Sequence, residues 1–199
     1  MNHYKATLIG LDIEGFQRHD RDDHTRLDLR RRLYAILTKT LACIQADHHA
    51  ELLDRGDGII AVLRGPMTAP TALRNLIPCL ARELELSNAD VAAPNVMRLR
   101  AVLHSGEVIG DEHGYIGSDL NLVFRILDAA ALRDHLSHSD APLVLALSDH
   151  VWRESHQGDP ATQSFTEVSV QVKETSTHAW VASFGTDPHR GPKEEPAER

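Results

Sequence analysis

Hydrophobic and polar residues along the chain follow two periods, one typical of strands and one typical of helices. The stretch LIGLDIEGF, residues 8–16, begins as an apolar run, reaches Asp12, and continues at once to Gly15 and Phe16. The apolar run predicts a buried central strand over residues 4–13, and the glycine is typical of a turn after it. Asp12 therefore stands where a strand ends, a place where a carboxylate can hold a metal ion or simply cap a helix.

The rest of the chain divides into further helices and strands. Apolar residues at helical spacing predict three helices, over residues 22–46, 70–87 and 118–136. Apolar or alternating runs predict strands over residues 97–109, 142–147, 167–173 and 178–184. Two short strands are predicted within residues 50–63, because Asp57-Gly58 between apolar runs is a strong hairpin signal. Strands that alternate with helices, with two hairpins among them, predict an α+β fold with helices packed over a mixed sheet.

One domain accounts for nearly all of the chain. Its 199 residues are enough for one domain to bury its own hydrophobic core, and we assign that domain to residues 1–184. The last segment, GTDPHRGPKEEPAER, is rich in proline and charge and has no apolar period. Residues 185–199 are therefore predicted to be a disordered polar tail.

The net charge of −8 argues against a general nucleic-acid-binding protein, because phosphates along a groove require a basic patch. It does not exclude a nucleotide substrate, since a divalent metal ion can supply positive charge locally. No apolar run approaches the roughly 20 residues that span a bilayer, and the start MNHYKATLIG lacks a secretory pattern. We expect a soluble, cytoplasmic protein without a membrane span.

Cysteines and histidines give weak signals. Cys43 and Cys79 are the only cysteines, and we interpret them as two isolated thiols of a reduced cytosolic protein. The 13 histidines are scattered and lack the Cys or Glu partners of a recognisable zinc spacing. This favours surface histidines over a structural zinc site.

Two pairs of residues could carry chemistry. Asp12 and Asp57 each stand at a strand end or hairpin tip, and they would meet if the first strand lay beside the hairpin. Paired carboxylates suit Mg²⁺ or Mn²⁺ when substrate phosphates complete the coordination shell, although an aspartate in a hairpin turn often serves only the turn. Asn121 and Arg125 lie at positions i and i+4 on one helix face, which by itself is equally consistent with a solvent-exposed pair.

Four ordered motifs together resemble the class III nucleotidyl cyclase catalytic domain, the family of adenylate and guanylate cyclases. LDIEGF resembles the first metal motif of that family, and RGDGIIAVL resembles the second. HSGEVIG resembles its glycine-rich strand-turn, and IGSDLNLVFRILDAA resembles the helix that carries its transition-state residues. The resemblance runs from about residue 5 to 184. It implies a ferredoxin-like α+β fold, with a mixed and mainly antiparallel sheet, and an active site completed across a head-to-tail homodimer.

The resemblance also implies roles for individual residues. Two divalent ions, Mn²⁺ or Mg²⁺, are expected at Asp12, Ile13 and Asp57, where they would bind a nucleoside triphosphate. Asn121 would orient the ribose, and Arg125 would stabilise charge that builds up on the α-phosphate.

Further contacts to the phosphates are implied near the first motif and near the end of the domain. The backbone amides of Glu14, Gly15, Phe16 and Gln17, interpreted as a helix start, would cradle the terminal phosphates. Lys173 in VQVKET aligns loosely with a family lysine near the triphosphate, because the glycines of the family are missing there. A plain surface lysine is an equal alternative.

The chain departs from the family at the positions that read the base. Adenylate cyclases read adenine with a lysine four residues before the second metal aspartate and an aspartate seven residues before the asparagine. These positions hold Leu53 and Gly114, and the glutamate of the guanine-reading pattern is absent as well. Selection of the base would then come from shape or from neighbours such as Glu51, Arg55 or Tyr115.

These observations favour an active cyclase that makes a 3′,5′-cyclic monophosphate and pyrophosphate, with UTP or CTP as its substrate. The chain is similar to the stand-alone pyrimidine cyclases of Pycsar antiphage systems, so its product would be a second messenger for a separate cyclic-nucleotide-sensing effector. The alternative is a catalytically inactive cyclase-homology module that acts as a nucleotide-binding or protein-interaction component.

Overall fold

A single mixed sheet of eight strands forms the centre of the computed structural model, which describes residues 2–156 and 160–185. The strands are β1 (Asn2–Ile13), β2 (Ala50–Asp54), β3 (Gly58–Arg64), β4 (Leu99–Asp111), β5 (Gly114–Ile116), β6 (Leu143–Ser148), β7 (Thr166–Val172) and β8 (Thr175–Phe184). Across the sheet they lie in the order β2-β3-β1-β4-β6-β8-β7, and β5 pairs with β4. All pairs are antiparallel except β4 with β6, which confirms the predicted mixed, mainly antiparallel sheet.

Six α-helices lie among these strands in the described residues. They are α1 (Asp23–Cys43), α2 (Ala69–Thr71), α3 (Ile77–Asn88), α4 (Ser118–Leu127), α5 (Ala130–Ser137) and α6 (Asp149–Ser155). A π-helical segment, Ala72–Leu76, joins α2 to α3, and short 3-10 turns form at Asp47–His49 and Pro160–Thr162. The predicted helices over residues 22–46 and 70–87 therefore correspond to α1 and to the continuous segment from α2 to α3.

Both faces of the sheet are covered by helices, and β1 shows why. Its side chains alternate between the faces, so that Ile9 and Leu11 join one core with α1 and α3 while Leu8 joins a second core with α4 and α5. Gly10 points to the second face, where an added Cβ would lie 2.6 Å from a methyl carbon of Val123. The absence of a side chain at Gly10 thus allows α4 to lie directly on β1.

The predicted helix over residues 118–136 is wrong as one element, because it is two helices. The helix α4 ends at Leu127, where the N–H of Asp128 donates to the Phe124 carbonyl oxygen at 3.0 Å. Ala129 is extended, and α5 begins at the next residue. The apolar period continues across this break because both helices pack on the same face of the sheet, so the sequence pattern does not reveal it.

The prediction of two isolated thiols is also wrong. The structure joins Cys43, the last residue of α1, to Cys79 in α3 as a disulfide, with the two Cα atoms 7.2 Å apart. The two helices pack side by side in the first core, which brings these residues together although they are distant in sequence.

Two further observations concern the membrane and the tail. Within residues 2–156 and 160–185, every helix is too short or too polar to cross a membrane. The predicted tail, residues 185–199, lies outside the described residues apart from Gly185.

Candidate active site

Asp12 and Asp57 come together where β1 meets the hairpin of β2 and β3. The two strands β1 and β3 are antiparallel neighbours, with Asp12 opposite Gly58, which confirms that the first strand lies beside the hairpin. The N–H of Ile13 donates to the carbonyl oxygen of Asp57 at 3.0 Å. A Cβ at Gly58 would lie 2.3 Å from the carbonyl oxygen of Leu11, so this glycine is required for the close approach.

A cavity of about 240 Å³ opens at this junction. It is lined by residues of β1, of the hairpin and of the end of α4, namely Leu11, Asp12, Arg55, Asp57, Gly58, Ile60, Phe124, Leu127 and Asp128. The two carboxylates predicted to hold metal therefore face one space. Asp128 is a third carboxylate at this cavity, and the sequence interpretation did not identify it because it treated this position as part of a continuous helix.

Asp12 is largely buried and has one cationic partner. Its side chain is 17% exposed, and its Oδ2 accepts hydrogen bonds from Nε of Arg100, at 2.9 Å, and from a terminal nitrogen of the same guanidinium. Burial raises the pKa of Asp12, Arg100 opposes that rise, and the nearby charges of Asp57 and Asp128 add to it. Three carboxylates, those of Asp12, Asp57 and Asp128, thus lie at a cavity that Arg55 also lines.

Arg100 was missed by the sequence interpretation. It is the second residue of β4, between the buried Leu99 and Ala101, and lies directly opposite Asp12 in β1. A charged residue inside an otherwise apolar strand is the signal that could have indicated a partner of opposite charge.

The residues present fit a divalent ion that shares its ligands with a substrate. Mg²⁺ is usually held by one or two carboxylates and completed by phosphate oxygens and water, and Asp12 and Asp57 supply two carboxylates to one cavity. In the part of the chain that the structure describes, no three or more His, Cys, Asp or Glu side chains are gathered closely enough to hold a metal ion. The geometry therefore differs from that of a closed structural site.

Asn121 and Arg125 share one helix, α4, but lie apart from the cavity in the described part of this chain. Arg125 donates to Oγ1 of Thr175 and forms an ion pair with Glu174 at 3.3 Å. Glu174 belongs to the turn between β7 and β8, and Thr175 is the first residue of β8. Asn121 is exposed at the surface.

Lys173 lies in that same turn. It is exposed and has a positive φ of 53°, and it immediately precedes Glu174. Lys173 is thus adjacent along the chain to the partners of Arg125, and it is not among the residues that line the cavity.

The interpretation of residues 14–17 as a helix start is wrong. These residues form a turn after β1, and α1 begins only at Asp23, so no helix dipole points from them. The amide of Glu14 is already used, because it donates to the carbonyl oxygen of Arg98 at 2.9 Å. Gly15 has a positive φ of 61°, and the Phe16 side chain packs against the first core.

The two positions that depart from the base-reading pattern flank a small polar cluster. Leu53 in β2 is half-buried against the second core, and Gly114 opens β5 with nothing within 4 Å of an added Cβ. Next to Gly114, the hydroxyl of Tyr115 is hydrogen-bonded to Glu51, and burial together with this bond raises the pKa of Tyr115 to about 12. Glu51 also forms an ion pair with Arg64.

Arg55, the third neighbour considered for base selection, lies elsewhere. Its guanidinium carbon is 4.1 Å from the ring centroid of Phe124, in the cavity that contains Asp57. Phe124 is half-buried and forms a wall of this cavity.

Comparisons with known proteins give matches at the level of structure. No family model matches the chain, and no curated protein matches it. The guanylyl cyclase Cya2 aligns with a TM-score of 0.62 and 21% identity, over 94% of this chain and 96% of that one. The adenylate/guanylate cyclase/hydrolase from Silicibacter pomeroyi aligns with a TM-score of 0.64 and 19% identity, over 91% and 97% of the two chains.

A third match has the same character. The adenylyl cyclase CyaB from P. aeruginosa aligns with a TM-score of 0.60 and 14% identity, over 94% of this chain and 97% of that one. Identities this low establish a shared architecture rather than a shared activity. The chain therefore has the class III cyclase fold, the α+β fold of adenylyl and guanylyl cyclase catalytic domains.

Proposed function

We propose that the protein is a nucleotidyl cyclase, which converts a nucleoside triphosphate to the 3′,5′-cyclic monophosphate and pyrophosphate. The observation that carries this proposal is the meeting of Asp12 and Asp57 in one cavity, from segments far apart in the sequence. The fold shared with adenylyl and guanylyl cyclases supports it.

The carboxylates of Asp12 and Asp57, together with Ile13, would hold two divalent ions, Mn²⁺ or Mg²⁺. The chemistry supplied by such ions would be activation of the ribose 3′-hydroxyl for in-line attack on the α-phosphorus and charge neutralisation of the pyrophosphate that leaves. Arg100 keeps the Asp12 carboxylate in place beside the cavity.

The remaining catalytic groups come from a second copy of the chain. Asn121 orients the ribose, and Arg125 stabilises the charge that builds up on the α-phosphate. Within one chain Arg125 is directed to Thr175 and Glu174, so a head-to-tail homodimer is needed to bring it to the metal pair. Such a symmetric dimer contains two sites. Lys173, in the turn that holds Arg125, would enter the same site near the triphosphate.

A smaller part of the phosphate contact is assigned to the turn after β1. The amide of Glu14 is excluded by its bond to Arg98, which leaves the amides of Gly15, Phe16 and Gln17 for the terminal phosphates. Successive N–H groups in a turn can form a concave anion site without a helix.

We infer that UTP or CTP is the substrate. Leu53 and Gly114 provide no charged group for a purine edge, and the polar groups beside them are Glu51 and Tyr115. The cyclic pyrimidine nucleotide would then serve as a second messenger for a separate effector, as in the antiphage systems whose cyclases the sequence resembles.

A second candidate function has one observation in its favour. Arg100 already balances part of the charge of Asp12 without any metal ion, so the cavity can persist in a protein that has lost catalysis. The chain would then be an inactive cyclase-homology module that binds a nucleotide or a protein partner.

Incubation with ATP, GTP, CTP and UTP in separate reactions with Mn²⁺, followed by mass spectrometry, distinguishes the two candidates. We expect a cyclic monophosphate from UTP or CTP, abolished in Asp57→Asn and retained in Asp90→Asn, a matched change in an exposed loop. A folded, dimeric wild-type protein that forms no product from any of the four triphosphates would favour the inactive module.

A further inference from the structure

The start of α4 is fastened to β4 by the side chain of Asp119. Oδ2 of Asp119, in the first turn of α4, accepts a hydrogen bond from the backbone N–H of Glu107 in β4 at 2.7 Å. The carboxylate lies directly over Gly106, where an added Cβ would be 2.4 Å from Asp119 Cγ. Because residue 106 is a glycine, the start of α4 can lie this close to β4.

The same carboxylate faces a buried histidine. Oδ1 of Asp119 lies 3.3 Å from Nε2 of His104, and Nδ1 of His104 shares a hydrogen bond of 2.7 Å with Oγ of Ser148. His104 and Ser148 are almost completely buried, and the Ser148 hydroxyl also caps α6 by accepting the N–H of Val151. Asp119 is therefore the outer member of a polar chain that connects α4, β4 and α6.

Alpha-helices usually begin with a side-chain cap, but α4 does not. Gly117 occupies the capping position without a side-chain hydrogen bond to the helix, and its φ of 154° is one that residues with a Cβ rarely adopt. A Cβ at Gly117 would also lie 3.1 Å from the carbonyl oxygen of Glu107. The Asp119 carboxylate is thus directed to the backbone of β4 and does not cap its own helix.

Apart from the side-chain bonds of Arg125 to Thr175 and Glu174, the rest of α4 is held by apolar packing, through residues such as Leu120, Val123 and Leu127 in the second core. Apolar contacts are non-directional and permit small shifts along the sheet, whereas a hydrogen bond fixes a distance and an angle. Asn121 and Arg125 follow Asp119 on the same rigid helix, so a shift of the first turn moves both of them.

We propose that Asp119 is a positioning residue, whose bond to the Glu107 N–H and contact with His104 fix α4 on β4 and thereby set the positions of Asn121 and Arg125. This inference rests on the proposed cyclase function, because it gives those two residues a catalytic role.

Three substitutions of Asp119 separate the effect of its contacts with β4, here called the tether, from other effects of a carboxylate. Asp119→Ala removes the acceptor of the Glu107 N–H. We expect kcat to fall about 10- to 100-fold, because a displacement of catalytic groups by about 1 Å can lower the rate by that much. KM for the triphosphate should stay within about twofold of the wild-type value. Asp119→Asn keeps an oxygen for the Glu107 N–H and is expected to recover most of kcat. Asp119→Glu keeps the charge but adds a methylene over Gly106, so kcat should fall although the acid remains.

The matched control is Asp23→Ala, which removes an exposed acid from the first turn of α1 that contacts Arg26 of the same helix. It should leave kcat unchanged. Equal kcat values in wild type, Asp119→Ala and Asp119→Glu would overturn the proposal, as would an Asp119→Asn variant no better than the alanine variant. If Asp119→Ala does not fold, the contrast between the asparagine and glutamate variants decides.

Hydrogen–deuterium exchange separates this inference from the proposed function. Asp119→Ala should speed amide exchange in residues 118–127, whereas Asp119→Asn and Asp23→Ala should not. A wild-type protein without cyclase activity would contradict the proposed function, and the exchange result would still show whether Asp119 fixes the helix. Unchanged exchange over residues 118–127 in Asp119→Ala would overturn the tether itself.

Discussion

Asp12 and Arg100 face each other on neighbouring antiparallel strands, and the guanidinium donates two hydrogen bonds to one oxygen of the carboxylate. Arg100 is 14% exposed and Asp12 is 17% exposed, so water screens this pair only weakly. Two further carboxylates, Asp57 and Asp128, lie at the same cavity. The pair therefore holds the Asp12 carboxylate in place beside a cavity that two further carboxylates and Arg55 also line.

The first prediction concerns the stability that Arg100 provides. Arg100→Met leaves a buried carboxylate without its counter-charge, so the free energy of unfolding should fall by about 3 kcal/mol. Mn²⁺ should recover part of this loss, because a dication can replace the guanidinium. Urea unfolding with and without Mn²⁺ measures both effects. The control Arg18→Met breaks an exposed pair with Asp20 and should change the free energy of unfolding very little; a similarly small loss in Arg100→Met would contradict the prediction.

The second prediction concerns pH and His104. Burial lowers the pKa of His104 below its ordinary value of 6.5, while Asp119 and Glu154 oppose this and His150 adds to it. The unfolded chain then binds the proton more readily than the folded protein does. The stability that the neutral ring contributes is present above pH 6.5 and is lost as the pH falls towards the lowered pKa.

Chemical unfolding of wild type and His104→Gln at a series of pH values between 5 and 8 measures this effect. Glutamine can still bond to Ser148 but does not titrate, so the stability of the variant should depend less on pH below about 6.5. If the stability of the two proteins depended on pH in the same way, the pKa of His104 would not be lowered in the folded protein.

The third prediction tests the close contact between α4 and β1. Gly10→Ala places a Cβ 2.6 Å from Val123 and 2.8 Å from Leu127, and such overpacking should cost about 1–3 kcal/mol. Val123→Ala removes one of the atoms involved. The loss of stability in the double variant should be clearly smaller than the sum of the losses in the two single variants. Thermal unfolding of wild type and the three variants measures this difference. Strictly additive losses would indicate that the helix does not press on Gly10.

Much of the fold could be predicted because its signals are local. The apolar run before Asp12 and the Asp57-Gly58 turn each specify an element from adjacent residues, and the observed strands β1, β2 and β3 follow them. Once strand and hairpin are adjacent, the two carboxylates must approach each other. Their common cavity therefore agrees with the pattern of the sequence.

Features that depend on distant contacts could not be predicted in this way. The pairing of Arg100 with Asp12 depends on the register between β1 and β4, which no local pattern contains. The disulfide between Cys43 and Cys79 depends on how two helices pack. The helix break at Asp128 could not be predicted because the apolar period continues through it. The position of Asp128 at the cavity could therefore not be predicted either.

The fourth prediction is the most direct test of the account, because it requires both catalysis and a site shared between two chains. Asp57→Ala and Arg125→Ala are each expected to be inactive when purified alone. In a head-to-tail dimer, a mixed pair of these chains contains one site with an intact Asp57 from one protomer and an intact Arg125 from its partner.

The two variants are mixed after reversible dissociation, and cyclic nucleotide formed from UTP and CTP with Mn²⁺ is measured. The mixture should show about a quarter of wild-type activity, because half of the dimers are mixed and each of these has one intact site out of two. A mixture of Asp57→Ala with Asp12→Ala is the control and should stay inactive, because both changes affect the same half of the site. An inactive mixture of Asp57→Ala and Arg125→Ala, from variants shown to exchange subunits, would contradict the shared site and with it the proposed mechanism.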